Sequence, residues 1–289
     1  MKSFFYAVAL AVAVAVAVTA LAPALAGAQN QTDASNVVYS KDVPIVPMAE
    51  WEIEQRGAAE QTGARILIAA GHDELAKAPA NAARYDSQTF QFPGGNIRVL
   101  KFTRQNGGVL HQITTETQLY VIKGSATVGV RGEQVAIGAG DVVNLPSGVL
   151  RSLPGKAVDT TILAYTVGSA MRDTKAGVIR AKDTPEAAIG AGEKSGVAGA
   201  KVFVRRYAYD GNSIRVARLT GKGQTTPATP KEDVLIFLLS GRMQITIGDE
   251  VKTVAAGDAL REQMAKPTHW DVYENSSFIA TNAPKAAAP

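Results

Sequence analysis

Hydrophobic and polar residues alternate with a period of two along much of the chain after about residue 85. Apolar side chains recur at Ala126, Val128 and Val130 and again at Ile245 and Ile247, with polar or small residues between them. This period is typical of a strand that buries one face, because successive side chains of a strand point to opposite sides. The pattern therefore predicts β-strands in two separate regions of the chain.

Two shorter stretches, residues 119–122 and 234–239, are apolar at nearly every position. Runs of this kind are typical of strands that are buried on both faces. Turn-forming residues separate the strands, at 123–124, 131–133, 138–141, 248–249 and 256–258. Short strands with frequent turns predict an all-β fold built as a sandwich or a barrel.

The chain also contains an internal repeat. The triplet Ile97-Arg98-Val99 reappears as Ile214-Arg215-Val216, and the pair Gly140-Asp141 reappears as Gly257-Asp258, each 117 residues later. Gly124 recurs as Gly241 with the same offset. Several landmarks in one register indicate a duplicated structural unit. We expect one domain over residues 85–168 and a second over 201–283.

The segments outside the repeat give weaker patterns. In the linker at 169–200, Asp183, Pro185 and Glu186 have the spacing of a helix N-terminus and predict a short helix. Residues 29–84 give no firm secondary-structure prediction, and we expect this segment to pack on the first domain. The tail at 284–289 is expected to be disordered.

The N-terminal 28 residues have the pattern of a secretory signal peptide. A basic start precedes an apolar run over residues 4–21, and small residues follow at Ala24, Ala26 and Ala28. A membrane anchor is the alternative, because the run is nearly long enough to span a bilayer. The small residues favour cleavage after Ala26 or Ala28, which predicts a periplasmic or secreted protein without stable membrane insertion.

Composition narrows the classes of partner. The formal net charge is +4 at pH 7, and the basic residues are scattered, so no basic stripe indicates a nucleic-acid partner. The chain has no cysteine. An exported chain without disulfides has to be stabilised by packing, which suits a bacterial periplasm and a large β core.

The spacing of the turn residues matches two known motifs. Gly124 closes the pattern G-x5-H-x-H-x3,4-E-x6-G, while Gly140-Asp141 opens G-x5-P-x-G-x2-H-x3-N, which continues through Pro146-Ser147-Gly148. The second unit keeps Gly241 and Gly257-Asp258. With these motifs the chain resembles the cupin superfamily over nearly all of residues 85–283. The resemblance implies a bicupin, with two tandem cupin-type jelly-roll β-barrels.

The resemblance also implies four metal-ligand positions in each barrel, and most of them hold other residues. Only His111 is of a ligand type. The positions are His111, Ile113, Thr117 and Arg151 in the first barrel and Ala228, Pro230, Val234 and Thr268 in the second.

Three residues lie one position away from a ligand slot. Glu116 and its repeat equivalent Asp233 precede the glutamate slot, and His269 follows the last histidine slot. A one-residue displacement turns a side chain to the other face of a strand, which would make the two acids solvent-facing, unless a β-bulge restores it. A metal held by His111 and Glu116 would have two protein ligands, fewer than the three of most catalytic sites, unless the N-terminal segment contributes His72 or an acid. We therefore expect no cofactor, with a divalent metal as the alternative.

The first barrel holds the candidate catalytic site. His111 titrates near neutral pH and is the candidate acid or base, with Tyr120 as a second catalytic candidate. Arg151 carries a fixed charge that suits a carboxylate, and Gln118 adds a hydrogen-bonding side chain, so both are candidates for binding substrate. The alternative is structural, with His111 in the interior and Arg151 in a salt bridge at the rim.

In the second barrel, two candidate binding residues lie next to the last histidine slot. His269 and Trp270 are candidates for binding a small polar ligand, although a strand end with a packed tryptophan is the alternative. Pro227, Thr229 and Pro230 fill the region where ligands would lie, which favours a structural or dimer-forming role. Exposed barrel edges make a homodimer the expected form of self-association.

Three functions are compatible with these residues. The first is an exported enzyme of the lyase, isomerase or cyclase type that acts on a small anionic metabolite. The second is a non-catalytic protein that binds a ligand or stabilises a partner in the periplasm. The third is a metal-dependent oxygenase with unusual ligands. Because cupins share their fold far more than their reactions, the sequence leaves the choice open.

Overall fold

A computed structural model describes residues 36–51, 66–69, 80, 82–102, 110–112, 116–131, 133–147, 150–167, 177–189, 197–209 and 212–283. The predicted signal peptide, His72 and the predicted disordered tail lie outside these residues. In the first part of the chain the strands are β1 (Val37–Val38), β2 (Ile45–Trp51), β3 (Ile66–Ala69), β4 (Ala83–Phe92), β5 (Gly95–Phe102), β6 (Leu110–Gln112), β7 (Glu116–Val130), β8 (Glu133–Gly138), β9 (Val142–Leu145) and β10 (Leu150–Val167).

The second part of the chain repeats this succession of strands. They are β11 (Gly177–Ile179), β12 (Glu186–Ile189), β13 (Val197–Ala198), β14 (Lys201–Tyr209), β15 (Asn212–Thr220), β16 (Gly223–Thr225), β17 (Asp233–Ser240), β18 (Arg242–Ile247), β19 (Glu250–Ala255), β20 (Ala259–Glu262), β21 (Thr268–Val272) and β22 (Ser276–Ala283). Two short 3-10 helices, Ser40–Asp42 and Ala181–Asp183, precede β2 and β12. The predicted all-β fold is confirmed.

Three antiparallel sheets contain these strands. One has ten strands in the order β11-β9-β7-β10-β5-β4-β2-β3, with β6 added to β10 and β8 to β7. The others have seven strands, β1-β20-β17-β22-β15-β14-β12, and five strands, β13-β16-β21-β18-β19. We call residues 83–167 the first half and residues 197–283 the second half. Within the described strands, no sheet order returns to its starting strand, so no closed barrel is found among them. The antiparallel sheets are consistent with a jelly-roll fold.

Two glycines occupy equivalent positions of the two halves, Gly124 within β7 and Gly241 between β17 and β18. Gly124 and Gly241 have φ values of 81° and 83°, a conformation that glycine adopts without strain. A Cβ atom at Gly124 would lie 2.8 Å from the carbonyl oxygen of Asp159, and one at Gly241 would lie 2.5 Å from that of Asn275. The close approach of a neighbouring strand therefore requires glycine in both halves.

Alternation on β17 shows how the core is divided. Val234, Ile236 and Leu238 pack in a cluster inside the second half, while Leu235 and Phe237 pack in a cluster that contains residues of both halves. A third cluster fills the first half. The strands next to the junction therefore bury both faces, as their nearly unbroken apolar runs predicted.

Each half is preceded by a short arm, and this arm pairs with a strand of the other half. The first arm, residues 37–42, adds β1 to β20 of the second half, and the second arm, residues 177–183, adds β11 to β9 of the first half. The chain then returns to its own half, where Ile45 pairs with Gln88 and Glu186 pairs with Arg205. The arms thus form a reciprocal exchange, and the segment before residue 85 contacts both halves.

Two aspartates at equivalent positions of the repeat hold the two arms. Asp258 accepts hydrogen bonds from the backbone N–H of Ser40 at 2.8 Å and of Ala255 at 2.9 Å. Asp141 accepts them from Ala181 at 2.9 Å and Gly138 at 3.0 Å. Burial opposes ionisation of Asp141, but these bonds and the nearby Arg180 lower the pKa of its carboxyl. The repeated Gly-Asp pair therefore anchors the exchange.

The predicted linker helix needs a correction. The chain turns through a 3-10 helix at Ala181–Asp183, but Glu186–Ile189 is a strand and not a continuing helix. The spacing of Asp183 and Glu186 is that of a capping box, yet Glu186 pairs with Arg218, with their side-chain atoms 2.8 Å apart. Strand pairing with β14 overrides the local helix signal.

In the described part of the chain, no helix has the length and apolar character needed to cross a membrane.

Replacing Asp258 should loosen the first arm. Asp258→Ala leaves two backbone N–H groups without their acceptor, which we expect to lower the free energy of unfolding by about 1–3 kcal/mol. Hydrogen exchange at the Ser40 amide should accelerate at the same time. The matched control is Asp249→Ala in an exposed turn, with an expected change within about 0.5 kcal/mol. Equal protection of Ser40 in both variants would contradict the anchoring role.

Candidate functional site

The second half contains a cavity of about 570 Å³ between its two sheets. Its wall combines strands of the seven-stranded sheet, including Leu219 and Phe278, with strands of the five-stranded sheet, including Met243 and Trp270. A loop between β16 and β17 completes the wall. Cavities of this size and apolar character are typical of sites for small organic molecules. Thr229 and Pro230, which were expected to fill the region where ligands would lie, line this cavity.

The positions that carry metal ligands in the cupin motifs meet in this cavity. All four line it, but their side chains are apolar or a threonine hydroxyl: Ala228, Pro230, Val234 and Thr268. Catalytic metal sites generally need about three histidine, cysteine or carboxylate ligands, and no cluster of three such side chains occurs among the described residues. The residues at these positions of the second half do not fit a metal.

Arg215 brings a positive charge into the cavity. It lies on β15, where Ile214 and Val216 face the junction between the halves, so the alternation of the strand turns Arg215 to the inner side. Its Nη2 donates a hydrogen bond of 2.7 Å to Oδ1 of Asn282, and its buried Nε has no partner among the described residues. Desolvation lowers the pKa of the guanidinium, although the charges of Glu262 and Glu232 oppose this shift. Arginine still keeps its charge at any physiological pH.

Glu262 faces the same space from the end of β20. Its Oε1 accepts a hydrogen bond of 2.7 Å from Nε1 of Trp270. Desolvation raises the pKa of this carboxyl above its ordinary value, while the Trp270 hydrogen bond and the charge of Arg215 work in the opposite direction. A carboxyl with a raised pKa is able to hold or release a proton closer to neutral pH.

Trp270 and His269 are placed on opposite sides of β21. Trp270 lines the cavity and stacks on Phe278, with ring centroids 5.6 Å apart and an angle of 7° between the planes. His269 points to the outer face, where its Nε2 lies 3.9 Å from a carboxylate oxygen of Asp271. The pairing of β21 with β18 is continuous, so no bulge turns His269 inward.

Gln118 and Tyr120 lie at the junction between the halves. Gln118 is fully buried, and its Oε1 accepts a hydrogen bond of 2.8 Å from the hydroxyl of Thr281. Tyr120 packs edge-to-face on Tyr207, with ring centroids 6.3 Å apart. Burial, with a smaller contribution from Tyr207, raises the pKa of Tyr120 to about 12. The Tyr120 phenol therefore stays protonated at neutral pH.

The two acids beside the glutamate slots are buried, so the expectation that they face solvent is wrong. Glu116 is 2% exposed and its Oε1 accepts a hydrogen bond of 3.1 Å from Gln118, while Asp233 is 9% exposed and forms an ion pair of 2.7 Å with Arg261. Both point away from the interior of their half, as a displacement of one residue requires, because the register is continuous from Glu116 to Val121 against β10 and from Asp233 to Leu238 against β22. The opposite face is buried because the other half covers it.

The structure brings His111 and Arg151 together along the backbone. Strand β6 pairs with β10 so that these two residues are directly opposite each other. The side chains of both lie outside the described part of the structure. Thr117, at the glutamate slot of the first half, is buried. The predicted roles of His111 and Arg151 stay predictions.

Sequence reasoning did not select Arg215 and Glu262. Arg215 belongs to the repeated triplet, and its equivalent Arg98 also sits between two residues of the junction cluster. A charged residue between two buried apolar neighbours on a strand was the available signal. Glu262 corresponds to Leu145, which is fully buried in the first half, so the change from leucine to an acid was a second signal.

No protein-family model matches the sequence, and no curated protein is significantly similar to it. Solved structures match the fold. AerE from Microcystis aeruginosa has a TM-score of 0.59 and 10% identity, covering 68% of this chain and 91% of that chain. A Lactobacillus farciminis oxalate decarboxylase in complex with formate has a TM-score of 0.54 and 11% identity, with 69% and 81% covered. Bacillus subtilis oxalate decarboxylase, which has Mn(II) centres, has a TM-score of 0.51 and 13% identity, with 71% and 74% covered.

The raised pKa of Glu262 predicts a pH-dependent effect on stability. A carboxyl that binds its proton more tightly in the folded state stabilises the fold at low pH and loses this contribution as pH rises through its folded-state pKa. We expect Glu262→Gln, which keeps an acceptor for Trp270, to raise the melting temperature at pH 7 by about 2–4 °C. The gain should shrink toward pH 4. Thermal unfolding from pH 4 to 8 measures it, and a lower melting temperature at pH 7 would contradict the direction.

Proposed function

The chain has the cupin fold, as its repeated motifs predicted, and we propose that the cavity of its second half binds a small anionic metabolite. Arg215 carries this proposal. It is a charged side chain in a mostly apolar cavity, with one hydrogen bond holding its fork and a buried Nε donor left without a partner. A carboxylate is the group that best matches the Arg215 guanidinium, which lines the cavity, because a guanidinium binds a carboxylate through paired hydrogen bonds.

Glu262 makes the same site suitable for proton transfer. Its pKa is raised and its carboxyl is oriented by Trp270, so it is placed to give a proton to a bound anion or to take one from it. A lyase or isomerase that acts on an acid needs at least a group that transfers a proton and a positive charge that binds the acid. We propose a reaction of this type, without a metal-dependent step in the second half.

The solved structures of similar fold are consistent with this class of ligand. One of the oxalate decarboxylases was solved with formate, so a cupin-fold protein accommodates a small carboxylate. Another has Mn(II) centres. For this chain a metal is an alternative in the first half, where His111 would be a ligand and the carboxylate of Glu116 points to the junction.

Export is part of the proposal. The basic start, the apolar run over residues 4–21 and the small residues at Ala24, Ala26 and Ala28 support it, with cleavage after Ala26 or Ala28. We therefore propose that the mature protein acts in the periplasm or outside the cell, on a ligand found there.

A second candidate function places the chemistry in the first half. The observation that favours it is the strand register, which sets His111 opposite Arg151. In this version His111 exchanges the proton and Arg151 binds the anion. A third possibility is a binding protein without turnover, in which the cavity of the second half is the whole site.

Replacing Arg215 tests the main proposal. Arg215→Gln removes the charge, and we expect it to weaken the binding of carboxylates, from acetate to benzoate, by about 10- to 100-fold, the range of a lost charged hydrogen bond. Isothermal titration calorimetry measures this change. The matched control is Arg218→Gln on the same strand, where the arginine is exposed and pairs with Glu186. Equal affinity in the Arg215 variant and the wild type would refute the proposal.

Replacing His111 separates the two candidate sites. If the first half carries the chemistry, His111→Ala should lower turnover by about 100-fold or more, while carboxylate binding in the second half is unchanged. The control is His269→Ala, because His269 points to the outer face of the second half. Full turnover by His111→Ala, together with lost turnover by Glu262→Gln, would assign the reaction to the second half instead.

A further inference from the structure

The cavity of the second half is polar at one end and apolar at the other. Glu262 and Asn282 flank Val234 in one row across three paired strands, and Arg215 lies in the next row. Leu219 is four residues beyond Arg215 on β15, so their Cα atoms are separated by about 13 Å. A carboxylate bound at Arg215 would therefore point the rest of its molecule toward apolar side chains.

The walls of the apolar end are flat as well as hydrophobic. Phe278 pairs with Ala217, between the rows of Arg215 and Leu219, and it stacks on Trp270. The hydrogen bond from the Trp270 indole to Glu262 fixes the orientation of this ring pair. Val202 closes the far end, since it pairs with Leu219.

The volume of the cavity sets the size of the ligand. A space of about 570 Å³ lies within the range of pockets for drug-sized molecules, about 300–1,000 Å³. A two-carbon acid would occupy only the polar end and leave the apolar wall in contact with water. The four positions that would place a metal beside such an acid hold Ala228, Pro230, Val234 and Thr268, so the space that a metal and its ligands would occupy is open to the ligand.

We infer that the ligand is a monocarboxylate carried on a flat apolar or aromatic body, with the acid group at Arg215 and the ring against Phe278 and Trp270. This inference rests on the proposed function, and it names the class of ligand for that site. The neutral end of the molecule needs no hydrogen-bonding group, because Val197, Val202 and Leu219 at that end are apolar. The hydroxyl of Thr225, which pairs with Val197, already accepts a hydrogen bond of 2.8 Å from the backbone N–H of Trp270.

The inference is tested with a series of probes that differ in one property at a time. Acetate and oxalate have the acid without the ring, trans-cinnamate and 2-naphthoate have both, and cinnamamide has the ring without the charge. We expect the aromatic acids to bind at least about tenfold more tightly than acetate or oxalate, because they bury additional apolar area. Cinnamamide should bind at least about tenfold more weakly than cinnamate, because it lacks the charge that pairs with Arg215. Calorimetry and quenching of tryptophan fluorescence measure the affinities.

Two variants, Phe278→Leu and Arg215→Gln, complete the test. Phe278→Leu keeps a half-buried apolar side chain but removes the ring, and it should weaken the binding of cinnamate by about three- to tenfold and that of acetate by less. Its melting temperature verifies that the fold is kept. Acetate or oxalate binding as tightly as the aromatic acids, with both depending on Arg215, would overturn the inference and leave the proposed function intact. If no acid in the series binds in an Arg215-dependent manner, both are wrong.

Discussion

The structure depends on one constraint, which is that the strands at the junction of the two halves are buried on both faces. On β17 the even-numbered residues fill the second half while Leu235 and Phe237 pack against the first half. Polar groups on these strands consequently need partners inside the protein. Gln118 bonds to Thr281 across the junction, and the hydroxyl of Tyr165 donates to the carbonyl oxygen of Ile279 at 3.0 Å. These bonds fix the register between the halves as well as satisfying the buried groups.

The exchanged arms follow from the same constraint. A sheet that is covered on both faces still has an edge, and an unpaired edge strand exposes backbone groups that have to be satisfied. Strands β9 and β20 are closed by the arms of the other part of the chain, and Asp141 and Asp258 hold the turn at the end of each arm. Both carboxylates lie in the repeated Gly-Asp turn. The residues that identify the duplication in the sequence therefore also join its two copies.

Much of the fold could be predicted from the sequence, because the repeat, the period-two pattern and the turn glycines are local signals. The sequence of a strand does not by itself determine which of its faces is exposed to solvent. Glu116 and Asp233 were expected to face solvent, since alternation places them opposite the interior of their half, but the partner half covers that face. The prediction of a helix after Asp183 was wrong for a similar reason, because Glu186 belongs to a strand that pairs with β14. Distant contacts decided each outcome.

The same reasoning explains why the sequence did not predict the cavity of the second half. The duplication preserved an arginine on the inner face of both, but their surroundings differ. Arg98 donates to the hydroxyl of Ser87 at 3.4 Å, and the position that corresponds to Glu262 is the buried Leu145. Arg215 instead has Asn282 to hold it and an acid nearby whose burial raises its pKa. A buried charge is costly unless function or pairing compensates for it. The second half keeps an arginine that lines a cavity and whose Nε has no partner among the described residues, and this is why we propose an anionic ligand for it.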